Sequence, residues 1–487
     1  MASDVPPEAT PEPVARTPRW RRWPFLVLVL GCLIAAAVGG ALWLQGDDGP
    51  EHPDAWNNRV QEYVDVVEDE RDLEFKYPIY VDFLSVNVFK KQVTADEGDL
   101  TDKDRAEIKQ ATSMFRALGL LEGEVDLFDT MNKLKGAGVL GYYDEEDERI
   151  RIRGTKLTPA VQSTLVHELT HALQDQHFDL EKKQAKLDEA DDSAASSAFD
   201  ALVEGDARRI EMAWREDLSK EDQKALDKSE AEQRKEYEGG SADIPDVLET
   251  IMSSPYAFGE ALLKVAVQQG GERAVDDLFR SPPTTEEHQL DPWTLVEDEE
   301  ESRDVDKPSL AEGEKEFDDG PFGALSWLLV LAERIPVKQA LDAADGWGGD
   351  AYVAFERDGV SCVKVAYEGE TGKDLDQMES ALTAWMKRLP DAPASLRREG
   401  STLFLESCDP GSKAPAVATG GSREAISLAL SRTYLSATMV DSGMETSAAR
   451  CGADLLVREF TLEELNDPRP SQETMQRAQQ ALAPCRA

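Results

Sequence analysis

The sequence predicts an α+β protein in three parts: a single N-terminal transmembrane helix, a mainly helical domain with a small β-hairpin, and a small C-terminal α+β module. Three observations predict this arrangement. Residues 24–44 form a run of 21 residues without a charge, which is enough to cross ~30 Å of hydrocarbon. Apolar residues recur at helical spacing through much of 55–295. Beyond residue 320, short apolar runs flank turn signals instead.

The residues that flank the apolar run predict its orientation. Four arginines lie within residues 16–22, whereas acidic residues follow the run. The positive-inside rule therefore places residues 1–23 in the cytoplasm, as a disordered tail. We expect a single-pass protein of the cytoplasmic membrane with the C-terminal region on the extracytoplasmic side. A cleaved signal peptide and a lipoprotein attached at Cys32 are alternatives, but the apolar run is longer than a signal peptide needs and continues past Cys32.

The charge balance excludes one class of partner. The chain has 53 Lys and Arg residues against 97 Asp and Glu residues, which gives a formal net charge of −44. Such a surface repels the phosphate backbone of DNA and RNA. We therefore expect no nucleic-acid binding.

The cysteines predict covalent cross-links at the C-terminal end. Four of the five cysteines lie in the last third of the chain. An even number outside the membrane predicts two disulfides. Proximity along the chain favours the pairs Cys362–Cys408 and Cys451–Cys485, and four free thiols are the alternative.

Local signals predict the elements and the boundaries between domains. Thr158 and Pro159 are typical of the N-cap and first position of a helix. In the last third, Asp358-Gly359 and Glu399-Gly400 predict two hairpin turns. The other predicted elements are helices over 55–76, 103–121, 191–216 and 374–389, and a hairpin with strands 138–143 and 149–153. The predicted boundaries are 55–295 for the helical domain, 296–320 for an acidic linker, and 321–487 for the C-terminal module.

One motif carries recognisable chemistry. Residues 167–171 read His-Glu-Leu-Thr-His, and on a helix His167 and His171 share one face and can bind one metal ion together. Glu168 lies beside that pair and can take a proton from a metal-bound water. With only 5 histidines in 487 residues, roughly 0.005 matches to this pattern are expected by chance. We therefore predict a Zn²⁺ site in which Glu168 is the general base.

A zinc ion needs a third protein ligand, and the sequence offers two. His177 completes the spacing HExxHxxxxxH, but that arrangement needs a break in the helix where Gln174 stands, and glutamine is a good helix former. If the helix continues, His177 lies about 240° around the axis from His171 and faces away. Glu204 lies on a separate predicted helix, beside Gly205, which permits close helix approach. We favour Glu204, with His177 as the alternative.

This segment resembles the zincin metallopeptidases of the gluzincin type. The resemblance rests on His167, Glu168, His171 and the Glu-Gly-x-Ala pattern that begins at Glu204, and it covers about 80 residues. It implies a zincin-like domain, zinc as cofactor, and an edge strand before the zinc helix that binds the substrate. Gluzincins often place an Asp four residues after the ligand Glu, but Arg208 occupies that position here. The chain also resembles bacterial membrane-anchored proteins that carry HELTHALQDQ, which implies no substrate.

The sequence thus predicts a membrane-anchored, extracytoplasmic zinc metallopeptidase. It would hydrolyse peptide bonds of a protein or peptide substrate through a zinc-activated water, with Glu168 as general base. The alternative function is a non-catalytic surface or envelope interaction protein that retains the zincin scaffold.

Overall fold

The computed structural model describes residues 50–190, 193–241, 243–297, 302–390, 394–415 and 420–486. The fold is α+β, with 59% helix and 13% strand. Elements up to residue 297 are the helices α1 (Gln61–Arg71), α2 (Val86–Val93), α3 (Asp102–Ala117), α4 (Leu127–Gly138), α5 (Pro159–Phe178), α6 (Leu180–Ala190), α7 (Ser193–Asp217), α8 (Lys220–Ser241), α9 (Asp246–Gly270), α10 (Glu272–Arg280), α11 (Glu287–Leu290) and α12 (Thr294–Glu297), and the strands β1 (Tyr80–Leu84), β2 (Gly141–Asp144) and β3 (Arg149–Arg153).

The remaining elements form the C-terminal part. They are the strands β4 (Lys315–Gly320), β5 (Trp347–Arg357), β6 (Val360–Gly369), β7 (Ser395–Glu399) and β8 (Thr402–Cys408), and the helices α13 (Ala324–Ala332), α14 (Val337–Ala344), α15 (Gly372–Met386), α16 (Ser422–Asp441), α17 (Thr446–Glu459), α18 (Leu462–Leu465) and α19 (Gln472–Ala481).

A three-stranded sheet lies in the N-terminal half, with the order β1-β3-β2. The predicted hairpin is confirmed, since β2 and β3 pair antiparallel. Strand β1, which the sequence did not predict, pairs parallel to β3. Because β3 occupies the middle, β2 is an edge strand, and it contacts α5.

Helix α5 begins and continues as predicted. Thr158 is the N-cap, and its hydroxyl accepts a hydrogen bond from the backbone N–H of Val161; Pro159 is the first helical residue. The helix runs 20 residues without a break to Phe178, and its C-cap Asp179 has a left-handed φ of 57°. Its apolar side is buried against the sheet and α1, in a cluster that includes Leu165 and Leu169. Because this apolar side packs against the sheet and α1, the side of α5 that carries His167 and His171 faces away from them.

The C-terminal part contains a five-stranded antiparallel sheet with the order β4-β5-β6-β8-β7. Asp358 and Gly359 form the turn between β5 and β6 with φ values of 53° and 81°, as their sequence predicts. Both predicted disulfides are confirmed. Cys362–Cys408 joins directly paired residues of β6 and β8, and Cys451–Cys485 joins α17 to the last residues.

A large hydrophobic cluster takes residues from both sides of the predicted linker. Phe115 of α3 and Leu248 of α9 belong to the same cluster as Trp327 and Trp385. Within the segment predicted as a linker, residues 315–320 form strand β4. The other domain boundaries stay predictions.

The structure corrects the prediction of a membrane-spanning helix. No helix in the described part of the chain is long and apolar enough to cross a bilayer. The most apolar helix, α13, has nine residues, or about 14 Å of length against the ~30 Å required. The predicted span 24–44 and the tail 1–23 lie outside the described residues. The predicted transmembrane part of the fold class is therefore wrong, and so are the predictions of the membrane as a partner and of a single-pass, extracytoplasmic location.

Candidate metal centre

Two packed helices bring three potential ligands together. His167 and His171 lie one turn apart on α5, and Glu204 lies on α7. The Nε2 atoms of the two histidines are 3.1 Å apart. Oε2 of Glu204 is 3.2 Å from Nε2 of His167 and 3.4 Å from Nε2 of His171. All three side chains are buried, and together they could hold a metal ion.

The spacing of these three atoms fits a tetrahedral metal. Bonds of about 2.0–2.1 Å to tetrahedral Zn²⁺ place neighbouring ligand atoms about 3.3–3.4 Å apart. The three measured separations, 3.1, 3.2 and 3.4 Å, are close to that value. A tetrahedral metal held by these three side chains would keep its fourth position for a further ligand.

His177 lies outside this cluster. Because α5 continues past it, its ring points away from the two other histidines, and its Nε2 lies 2.9 Å from the backbone oxygen of Glu74 at an exposed position. A helix break at Gln174, which His177 would need to reach the two other histidines, is absent from α5, as the sequence predicts.

A contact between two glycines sets the position of the helix that carries Glu204. A Cβ on Gly205 would lie 2.2 Å from the backbone carbon of Gly259 in α9, and a Cβ on Gly259 would lie 1.8 Å from the backbone oxygen of Ala201. Any side chain at either position would force α7 and α9 apart. The expectation that Gly205 permits close helix approach is confirmed, with α9 as the neighbour.

His171 is held through its other ring nitrogen by Gln174. Its Nδ1 lies 3.1 Å from Oε1 of Gln174. The amide Nε2 of Gln174 donates to Oδ2 of Asp206 at 3.0 Å. Asp206 is in turn paired with Arg71 of α1 at 2.9 Å and with Arg209 at 2.8 Å. Metal-binding histidines commonly have such a partner, which fixes the ring and its tautomer.

His167 has a carboxylate behind it. Its Nδ1 lies 3.6 Å from Oε2 of Glu211, which is an ion-pair distance rather than a hydrogen bond. Glu211 accepts hydrogen bonds from Ser163 at 2.5 Å and from Arg208 at 2.8 Å. Both Arg208 and Glu211 lie on α7, so this helix supplies the carboxylate beside His167 as well as Glu204.

The contacts within the cluster set its protonation. Burial acts to lower the pKa of His167, but its hydrogen bond with Glu204 and the nearby carboxylate of Glu211 raise it to about 10. Burial acts to raise the pKa of Glu204, but the two histidines lower it to about 2. The metal-free cluster therefore pairs imidazolium with carboxylate. Since only neutral imidazole is a ligand, metal binding displaces protons.

Glu168 follows His167 on α5 and contacts the edge strand β2. Its Oε2 accepts a hydrogen bond of 2.8 Å from the backbone N–H of Tyr143. Burial raises its pKa above the ordinary value, which makes it a stronger base. The strand can approach this closely because residue 141 is glycine: a Cβ there would lie 2.8 Å from side-chain atoms of Ile152 and Thr164.

A cavity of about 670 Å³ opens beside the cluster. It is lined by His167, Glu168 and Arg208, by the edge strand at Gly141, and by Tyr256 of α9. The ring of Tyr256 stacks on that of His167 with centroids 5.8 Å apart. Burial, together with the charges of Glu204 and Glu168, raises the pKa of the Tyr256 hydroxyl well above its ordinary value. This hydroxyl therefore stays protonated and can donate a hydrogen bond.

No family model, curated protein or solved structure matches this chain. The assignment of the site consequently rests on its own geometry. Sequence reasoning missed Glu211 and Tyr256. The sequence did contain a signal for Glu211, because a carboxylate two helical turns after Glu204 lies on nearly the same face of the helix. It contained no signal for Tyr256, since only the crossing of α7 and α9 brings this residue to the histidines.

Proposed function

We propose that the chain is a zinc-dependent peptidase. The observation that carries the proposal is the triangle of buried ligand atoms from His167, His171 and Glu204, with separations of 3.1–3.4 Å, beside a carboxylate that is not part of it. Two imidazoles and one carboxylate are a common ligand set of catalytic zinc. When bound, zinc would lower the pKa of a water from 15.7 to ~7.

Glu168 acts as general base and acid. One of its oxygens is held by the N–H of Tyr143 at 2.8 Å, which leaves the other for proton transfer. Glu168 takes a proton from the attacking water and passes it to the leaving amine. General acid–base catalysis of this kind contributes about 10²–10⁴ in rate.

Tyr256 is suited to stabilise the oxyanion that develops on the substrate carbonyl. It lines the cavity, contacts His167 and carries a hydroxyl that stays protonated. A single donor that faces a developing oxyanion is worth about 10²–10³ in kcat. Tyr256 would thus supply the hydrogen-bond donor to the oxyanion that the motif at residues 167–171 lacks.

The edge strand supports a peptide as the substrate. Strand β2 pairs only with β3 in the sheet, and its residues Gly141 and Tyr142 line the cavity. An extended peptide can add to such an edge through backbone hydrogen bonds, which recognise any sequence.

The test uses the purified full chain, its metal content and a library of internally quenched peptides. We expect about one zinc per chain and hydrolysis of a subset of the peptides. Glu168→Gln should retain the zinc and lose activity about 10²–10⁴-fold. Glu189→Gln, which makes the same change at an exposed position of α6, should change neither.

Two results would count against the proposal. Undiminished hydrolysis by a protease-free Glu168→Gln preparation would refute the role of Glu168. A chain that binds zinc but hydrolyses no peptide would instead favour a non-catalytic interaction protein that keeps the scaffold.

A further inference from the structure

A second cavity continues the one beside the metal-binding cluster. It has a volume of about 620 Å³, and it shares the lining residues Gly138, Leu140 and Tyr237 with the first cavity. Its other walls are the loop between β3 and α5, the start of α2 and one side of α8. The two cavities therefore form one groove, which begins at His167 and Glu168 and runs past the start of the edge strand.

The carboxylates that line the second cavity are already neutralised by arginines. Glu236 of α8 lies 2.7 Å from Arg153, the last residue of β3. Glu230, also on α8, accepts a hydrogen bond of 3.0 Å from Arg215 of α7. Neither carboxylate therefore leaves an uncompensated negative charge in this part of the groove.

Two cations of the second cavity have no such partner. They are Lys156, in the loop between β3 and α5, and Arg234 of α8. Neither forms an ion pair in the ranges of the chain that the structure describes. Both are exposed, so they can bind a ligand without breaking an existing ion pair. This local excess of positive charge occurs in a chain with a formal net charge of −44, whose overall field repels anions.

We propose that Lys156 and Arg234 bind a carboxylate of the peptide substrate, at a distance from the bond that is cleaved. This inference rests on the proposed peptidase function and adds a specificity that the metal-binding cluster does not provide. Gly141 lies beside Glu168, and Gly138, which lines both cavities, precedes it by three residues. At about 3.3 Å per residue, an extended peptide along this segment reaches the second cavity about three to five residues from the cleaved bond.

A peptide offers such a carboxylate in two ways, as a Glu or Asp side chain or as its C-terminus. The experiment measures peptide binding to the zinc-loaded Glu168→Gln chain by calorimetry, so that no turnover is needed. The probes are peptides that differ only by Glu or Gln at successive positions, each with a free or an amidated C-terminus. A loss of affinity when Gln replaces Glu identifies the side chain, and a loss on amidation identifies the C-terminus.

We expect about three- to tenfold tighter binding of one acidic member, since one or two exposed ion pairs contribute an effect of this size. The preference should decrease at high salt, because ions screen exposed charges. Equal binding of the Glu and Gln peptides, with free and with amidated C-termini, would overturn the proposal, and this comparison needs no variant in the second cavity.

The double variant Lys156→Gln, Arg234→Gln should reduce the preference to about one. Lys224→Gln is the matched control, because it removes the same charge from an exposed position of α8 that does not line the cavity, and it should keep the preference. A preference that survives the double substitution would overturn the role of the two cations.

The same peptides are then given to the wild-type chain as substrates, and mass spectrometry locates the cleaved bond. We expect cleavage about three to five residues from the preferred carboxylate. Preferential binding without any hydrolysis would overturn the peptidase function alone. Hydrolysis of all the peptides with equal kcat/KM would overturn the role of Lys156 and Arg234 alone.

Discussion

Gln174 presents its amide oxygen to Nδ1 of His171 at 3.1 Å. The orientation of the amide is fixed, because its nitrogen donates to the backbone oxygen of Val203 at 3.1 Å and to Asp206 at 3.0 Å. The imidazole must therefore donate from Nδ1, which leaves the lone pair of Nε2 for a metal. Gln174, which favours a continuous helix α5, thus also orients the ring of His171.

Gln174→Ala should weaken zinc binding about 10–100-fold, the usual effect of removing the partner of a metal-binding histidine. The measurement is competition with a chelating dye. Gln162→Ala, an equal truncation on α5 away from the cluster, is the matched control. Equal affinity of both variants would show that the amide does not orient His171.

The predictions of helix α5 and of the turn at Asp358-Gly359, which depended on local sequence, are confirmed, whereas the helix predicted over 55–76 is shorter and spans Gln61–Arg71. The N-cap Thr158, the first helical residue Pro159 and the helix-forming residues after them lie next to one another in the chain. Their sequence alone therefore predicts a continuous α5. That continuity places His167 and His171 on one face and turns His177 away. The turn at Asp358-Gly359 is local in the same sense.

The structural features that the sequence did not predict depend on contacts between segments that are distant in the chain. Strand β1 has no turn partner beside it in the chain and pairs in parallel with β3. Tyr256 reaches His167 only because Gly205 and Gly259 let their helices touch. Such contacts leave no periodic signal within a single element.

The ranking of the candidate ligands gives a second prediction. Glu204→Ala and His171→Ala should each lower zinc affinity by several orders of magnitude, because each removes one of three ligands. His177→Ala should change it less than about threefold, since that ring lies outside the cluster, against the backbone oxygen of Glu74 and the ring of Phe178. Dye competition checks all three, and a larger loss in His177→Ala than in Glu204→Ala would reverse the assignment.

The glycine contact between α7 and α9 gives a third prediction. Gly205→Ala and Gly259→Ala should each lower the free energy of unfolding by about 1–3 kcal/mol or more, because the added methyl group meets backbone that must move. Gly239→Ala is the control: nothing lies within 4 Å of its Cβ position on the exposed helix α8, so it should stabilise by about 0.5–1 kcal/mol. Chemical denaturation measures all three. Equal effects at the three positions would show that the close contact is not rigid.

A fourth prediction separates catalysis from metal binding. Tyr256→Phe keeps the ring on His167 but removes the hydroxyl. The substitution should lower kcat about 10²–10³-fold and leave zinc affinity and KM nearly unchanged. The reason is that the hydrogen bond from the Tyr256 hydroxyl to the oxyanion forms mainly in the transition state. Tyr237→Phe, which alters another tyrosine that lines the cavity, is the control. An equal loss in both variants would remove Tyr256 from the mechanism.

The last prediction concerns pH and a buried carboxylate that does not belong to the His167–His171–Glu204 cluster. Glu286 is 2% exposed and accepts a hydrogen bond from the backbone N–H of Leu325, at the start of α13. Burial raises its pKa from 4.5 to about 7 despite this hydrogen bond. The native state therefore holds a proton that the unfolded chain releases above pH 4.5, so Glu286 lowers stability as the pH rises from 4.5 to about 7.

The expected size of this effect is about 3 kcal/mol, from a shift of about 2.5 units at 1.36 kcal/mol each. Glu286→Gln keeps an oxygen that can accept from Leu325 and removes the titration. Its stability relative to the wild-type chain should therefore increase by about that amount between pH 4.5 and pH 7.5, and then stay constant. Urea denaturation of both proteins at several pH values measures the difference. Parallel pH profiles for the two proteins would mean that Glu286 titrates as it does in the unfolded chain.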